Sequence, residues 1–248
     1  MRPIVLALGL LVSPIALGAQ APRKWPPDSL VNVRVIPKST PVVQVWGNMR
    51  NIAASLGVEC TFCHVGREGA PLADIDFVSD DKRTKLVARQ MLLLVQEING
   101  RVDSLPSRPA PSVAVTCTTC HRGVTRPVPL ATIIAEAATT SGADSAIRAY
   151  RSLRDRYHGR DAYDFGEPSL NTAAFRTGRA GKVDAALALL RLNEALFPEA
   201  VALHIIRGNV YLMRSDTAAA AASFREAVRR DPDNDEAKNR LRDIGQRP

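Results

Sequence analysis

The residues whose types and spacing can do chemistry in this chain are cysteine and histidine. Residues 60–64 read CTFCH and residues 117–121 read CTTCH. These two C-x-x-C-H motifs use all four cysteines and two of the four histidines in 248 residues. Four chemistries take paired thiols at this spacing. In covalent haem attachment two thiols add to the porphyrin vinyl groups, and a histidine placed directly after them reaches the iron. Structural zinc would take Cys60, Cys63, Cys117 and Cys120, but it gives no reason for a histidine after each pair. A thioredoxin-type dithiol needs a strand-then-helix setting, whereas these flanks read as helix and loop. Plain disulfides in an exported protein explain the even count and not the repeated histidine. The pattern therefore points to two covalently bound haem c groups, attached through Cys60, Cys63, Cys117 and Cys120, with His64 and His121 on the irons.

An iron that only carries electrons takes a second protein ligand, and methionine thioether is the soft donor that raises the potential. Of the four methionines, Met1 is the initiator and Met213 sits in an apolar helical pattern, where it reads as core filler. Met49 and Met91 each lie on the helix that precedes a motif, one per haem, and are the candidate sixth ligands. His158, among charges near a helix end, and His204, inside an apolar pattern, read as solvent-facing and packing residues.

These groups need elements to position them. Residues 42–57 carry apolar residues at helical spacing and end on Gly57, a natural C-cap. After a polar loop, Ser79, Asp80 and Asp81 suggest a helix start and Asn99-Gly100 a stop. A loop rich in Pro and Ser then leads to the second motif. The order helix, motif, helix, motif looks like a duplicated unit over 42–130. From about residue 140 the chain turns to Ala-, Arg- and Leu-rich helices without cysteine. From Pro198 to Pro232 is 34 residues, the tetratricopeptide period, and Gly208, Tyr211, Ala220, Phe224, Ala227 and Pro232 fall on its small and large positions. The preceding unit has Ala174, Ala186, Leu190 and Pro198 in register, with Asn193 where a small residue is usual. The expected fold class is mainly α, a loop-rich multihaem cytochrome c domain followed by an α-helical tetratricopeptide-like domain. The expected segments are a signal peptide at 1–21, a Pro-rich extended lead-in at 22–41, a dihaem domain at 42–130, a linker at 131–142 and helical repeats at 143–248.

The first 21 residues have Arg2, a short apolar run from Ile4 to Leu17, and small residues at Gly18, Ala19 and Ala21. That is a secretory signal pattern, too short for a membrane span of about 20 residues, so a periplasmic location is expected, with an uncleaved anchor as the alternative. No cysteine follows it, so no lipid anchor is expected. The formal charge of +8 comes from basic residues interleaved with Asp and Glu, which argues against nucleic acid as a partner. Redox proteins are the expected partners, among them a membrane-bound electron-transfer complex docked through the repeats. The residues leave three functional classes open: an electron carrier, a peroxidase-like dihaem enzyme with one open iron, and a zinc-binding scaffold.

The stretch LVARQMLLLVQEIN, followed by VTCTTCHRG, resembles the second haem unit of the photosynthetic reaction centre cytochrome c subunit family. The resemblance covers residues 40–130. It implies that Met91 and His121 ligate the second iron and Met49 and His64 the first, and that the protein is an electron carrier rather than an enzyme. The chain departs from the family in carrying two motifs instead of four, with a repeat module in place of the second haem pair. It resembles a half-size relative, and a role in photosynthesis does not follow.

Overall fold

The computed structural model describes residues 24–106 and 113–247, so the expected signal at 1–21 lies outside the described residues. Among the described residues the chain is mainly α, with ten helices and no named strand. In chain order they are α1 (Val42–Leu56), α2 (Arg83–Asp103), α3 (Cys117–His121), α4 (Leu130–Ser141), α5 (Ala143–Tyr157), α6 (Glu167–Arg179), α7 (Val183–Leu196), α8 (Ala202–Leu212), α9 (Thr217–Arg230) and α10 (Asp235–Asp243). Two compact units form. One comprises Glu59–Arg101 and the chain up to Arg50; the other comprises Asn51–Val58 and the chain from Val102 onward. The second half of α1 and the region of the second motif thus cluster with the later helices, a division different from the expected break after 130.

In the first unit the lead-in is folded against its neighbours rather than simply extended. Trp25 meets Trp46 with ring centroids 6.2 Å apart and Phe77 at 4.9 Å. Asn32 takes a left-handed φ of 60° and donates through Nδ2 to the Val78 carbonyl and to Asp80. The residues expected to start α2 form a tight turn ahead of it instead. Asp76 accepts from the N–H groups of Val78 and Ser79, and Ser79 Oγ accepts from that of Asp81. The helix begins at Arg83 and runs past Asn99-Gly100 to Asp103. Its apolar residues have little protein to cover them. Lys85 is its one buried residue, while Leu86, Val87, Met91, Leu93 and Leu94 are exposed.

The second unit holds the larger core. Helices pack on their chain neighbours (α4 on α5, α6 on α7, α8 on α9, α10 on α9), and α4, α6 and α8 stack in turn, the nearest-neighbour pattern of a helical solenoid. Small residues let these helices approach. A methyl group on Gly208 would lie 2.3 Å from the Phe224 ring, so the glycine makes room for the large residue of the next helix. Earlier in the chain, Ala174 and Leu190 are both fully buried as well. Asn193, out of pattern by size, is buried too. Its Nδ2 donates to Asn171 Oδ1 at 2.8 Å and to the Glu167 carbonyl at 3.1 Å.

The expected linker at 131–142 is corrected by α4. Leu130, Ala131, Ile134, Ala135 and Ala138 of that helix are buried in the main core, so the helical array starts at Leu130. Burial of one apolar stripe fixes the stretch as helix.

Candidate functional site

Each C-x-x-C-H motif is wound into one helical turn. Cys60–Phe62 is a 3-10 turn in which the N–H groups of Cys63 and His64 both donate to the Cys60 carbonyl, at 3.2 and 3.0 Å. Cys117–His121 is the whole of α3. On such a turn, residues three and four apart share a face, so both thiols and the histidine are presented together. All four thiols are unpaired. Among the described residues no three of His, Cys, Asp and Glu converge as a protein-only metal centre, the arrangement a zinc site needs.

The first motif is held by the start of α2. Lys82 Nζ donates to the Thr61 carbonyl, and Thr84 Oγ1 donates to that of Phe62 at 2.5 Å. The Thr84 hydroxyl also bonds the Cys63 thiol, which burial nonetheless pushes above its ordinary pKa. Beyond the motif the chain folds back, with the Asp76 N–H on the Val65 carbonyl at 2.7 Å, and brings Phe77 to 4.9 Å from the His64 ring. Burial, followed by the Lys85 charge, lowers the His64 pKa to about 4, with Asp76 opposing. The imidazole is therefore neutral at physiological pH, the form that binds a metal. Its Nδ1 is buried with no hydrogen-bond partner.

The second motif is held by the end of α1, a pairing the sequence gives no hint of. That helix stops in a Schellman arrangement: the Gly57 N–H donates to the Ala54 carbonyl and the Val58 N–H to that of Ala53, with Gly57 at φ +66°. Ser55 Oγ lies 2.6 Å from Thr118 Oγ1 inside α3, and the otherwise orphaned Ser55 carbonyl accepts from the Gly123 N–H at 2.8 Å. The backbones approach so closely that a methyl group on Gly57 would fall 2.3 Å from the Gly123 oxygen. At the end of α3, Arg122 and Gly123 both take left-handed φ values, 48° and 88°, and turn the chain so that His121 Nδ1 donates to the Val124 carbonyl at 2.9 Å. A carbonyl can only accept, so Nδ1 carries the proton and Nε2 is the lone-pair nitrogen available to a metal.

Met49 is a half-buried residue of α1 and belongs to the first unit with His64. Met91 is an exposed residue of α2, also in the first unit, whereas His121 belongs to the second. His204 is buried in α8, and His158 is exposed beside Phe165.

Two observations independent of the motif itself fit haem c: the apolar α2 side chains lack a protein cover, and His121 is fixed in the ligating tautomer. Among the described residues no helix is long and apolar enough to cross a membrane.

Comparison with known proteins agrees with the resemblance read from α2 and the second motif. The family described as "Photosynthetic reaction centre cytochrome C subunit" matches residues 70–154, which include α2, the second motif and α4. Cytochrome c-554 of Chloroflexus aurantiacus is 32% identical over 108 residues, covering 42% of this chain and 23% of that protein. The chain thus spans less than a quarter of that relative's length, and the family match lies in the middle of the chain.

Proposed function

We propose that this chain is an exported c-type cytochrome that holds two haems and carries single electrons between redox partners. One observation carries the reading: each C-x-x-C-H is folded as a single turn that presents two free thiols and a histidine together. Haem iron, when bound, supplies a one-electron couple. Cys60, Cys63, Cys117 and Cys120 hold the two groups covalently. His64 and His121 would hold the irons through their imidazoles, and the Val124 carbonyl keeps His121 in the basic, oriented form that second-sphere hydrogen bonds give to ligating histidines. Met49 and Met91 would supply the other protein ligands to the irons, from a half-buried place on α1 and an exposed one on α2. The exposed apolar residues of α2 keep water from the iron's surroundings. The stacked helical pairs from α4 onward, tetratricopeptide-like in spacing, present the surface on which a redox protein or its membrane complex docks.

The test is the spectrum and mass of the full chain matured with haem-attachment machinery in the periplasm. Two covalent haems, both low-spin, with a methionine–iron charge-transfer band, are the expected result. A stable high-spin ferric haem would convert the reading to a peroxidase-like enzyme, and tetrathiolate zinc in place of haem would overturn it. Met91→Ala is expected to lower the potential of one haem and leave the other in place. An unchanged redox titration would remove Met91 from the ligand set.

A further inference from the structure

The first unit contains a charged group that haem attachment does not require. Lys85 is 8% exposed, yet its ammonium is fully engaged. It donates to the carbonyls of Phe77 at 2.9 Å, Val78 at 3.0 Å and Ser79 at 2.7 Å, and lies 3.2 Å from Asp80 Oδ1. A buried ammonium costs several kcal/mol in desolvation unless geometry of this kind compensates it. A methionine or leucine would close the same space without that cost, so the charge itself calls for an explanation.

Two facts place the charge beside the first motif. The segment whose carbonyls hold Lys85 begins with Phe77, the ring packed 4.9 Å from His64. The groups whose fields reach His64 are three cations, Lys85, Arg89 and Lys82, against one anion, Asp76. Asp80 moderates this cationic set. Arg89 grips it with two nitrogens at 3.0 Å, and Asn32 and Arg34 add further bonds to it.

We propose that Lys85 is a positioning residue that sets the potential of the first haem: its clamp on residues 77–79 seats Phe77 against His64, and its fixed charge favours the reduced iron, with Asp80 opposing it. This rests on His64 ligating that haem. Reduction adds one electron at the iron. A nearby positive charge that cannot leave stabilises the added electron, and a nearby carboxylate destabilises it. Screening is weak because Lys85 is buried.

The experiment is a spectroelectrochemical titration of the two-haem protein and its variants. The first haem is identified as the wave that His64→Met moves. Lys85→Met is expected to lower the first-haem potential by about 59 mV, a tenfold shift in a one-electron equilibrium. Asp80→Asn is expected to raise it, and the second-haem wave stays fixed in both. Opposite signs are the mark of a charge effect, because mere loosening of the fold would move both variants the same way. Unchanged potentials in both variants, or shifts of one sign, overturn the proposal. Should Lys85→Met fail to fold, Asp80→Asn alone decides: a rise supports the proposal, and no change or a fall overturns it. Failure of the underlying reading looks different, since wild-type protein would then lack covalent haem at Cys60 and Cys63, or His64→Met would move neither wave.

Discussion

At the scale of single residues, the second motif owes its place to two glycines with different duties. Gly57 and Gly123 both have left-handed φ, +66° and +88°. A side chain on either meets a conformational cost of about 1–2 kcal/mol. Only at Gly57 does the added methyl also strike backbone, the Gly123 carbonyl oxygen at 2.3 Å, while at Gly123 nothing lies within 4 Å. A carbonyl in a turn cannot swing aside as a long side chain can, so overpacking adds about 1–3 kcal/mol more. Gly57→Ala is therefore expected to destabilise the protein by about 2–5 kcal/mol and Gly123→Ala by about 1–2 kcal/mol. Urea midpoints at constant slope measure both. Equal losses would mean that the close approach of α1 to the second motif contributes nothing.

At the scale of elements, the helical array carries one liability. His204 of α8 is 2% exposed, and neither ring nitrogen has a hydrogen-bond partner. Burial, followed by Arg207 and Arg230, lowers its pKa, with Glu194 and Glu226 opposing. The unfolded chain then binds a proton that the folded chain refuses, so stability falls as pH drops below the ordinary histidine value of about 6.5. His204→Leu removes the penalty. It is expected to be neutral or stabilising at pH 7.5 and clearly stabilising at pH 5, read from urea midpoints at the two values. An equal offset at both would show that His204 titrates normally. The elements also show where reading the sequence stopped. The Gly57 stop and the Gly208–Phe224 pairing were legible because the first rests on local backbone chemistry and the second on a small residue spaced to meet a large one. The core role of α4 was hidden because tertiary burial, not a local pattern, fixes it. The Ser55–Gly123 and Lys85 contacts were invisible for another reason. The first joins two backbone groups far apart in the chain and the second ends on the nearby carbonyls of Phe77, Val78 and Ser79, and backbone groups leave no mark on residue type.

At the scale of the whole molecule, the two units differ in what fills them. The helices from α4 onward bury Ile134, Leu170, Leu189, Leu190 and Leu203 against one another. Among the described residues of the first unit Val45 and Ile75 are the buried apolar ones, and α2 exposes five large ones. Covering those half-exposed side chains is worth about 1 kcal/mol each, a sum comparable with the whole net stability of a small domain. On the proposed function haem is the apolar body placed there, core for the first unit and only cargo for the helical array. Hydrogen exchange of the protein with all four attachment cysteines changed to alanine tests this against the two-haem form. Amides of α2 are expected to exchange at least 100-fold faster without haem, as about 3 kcal/mol of lost protection implies. Those of α6 to α9 should keep their rates. Equal protection of α2 in both forms would show that the first unit has a sufficient core of its own, and uniform loss along the chain would show that the helical array depends on haem as well.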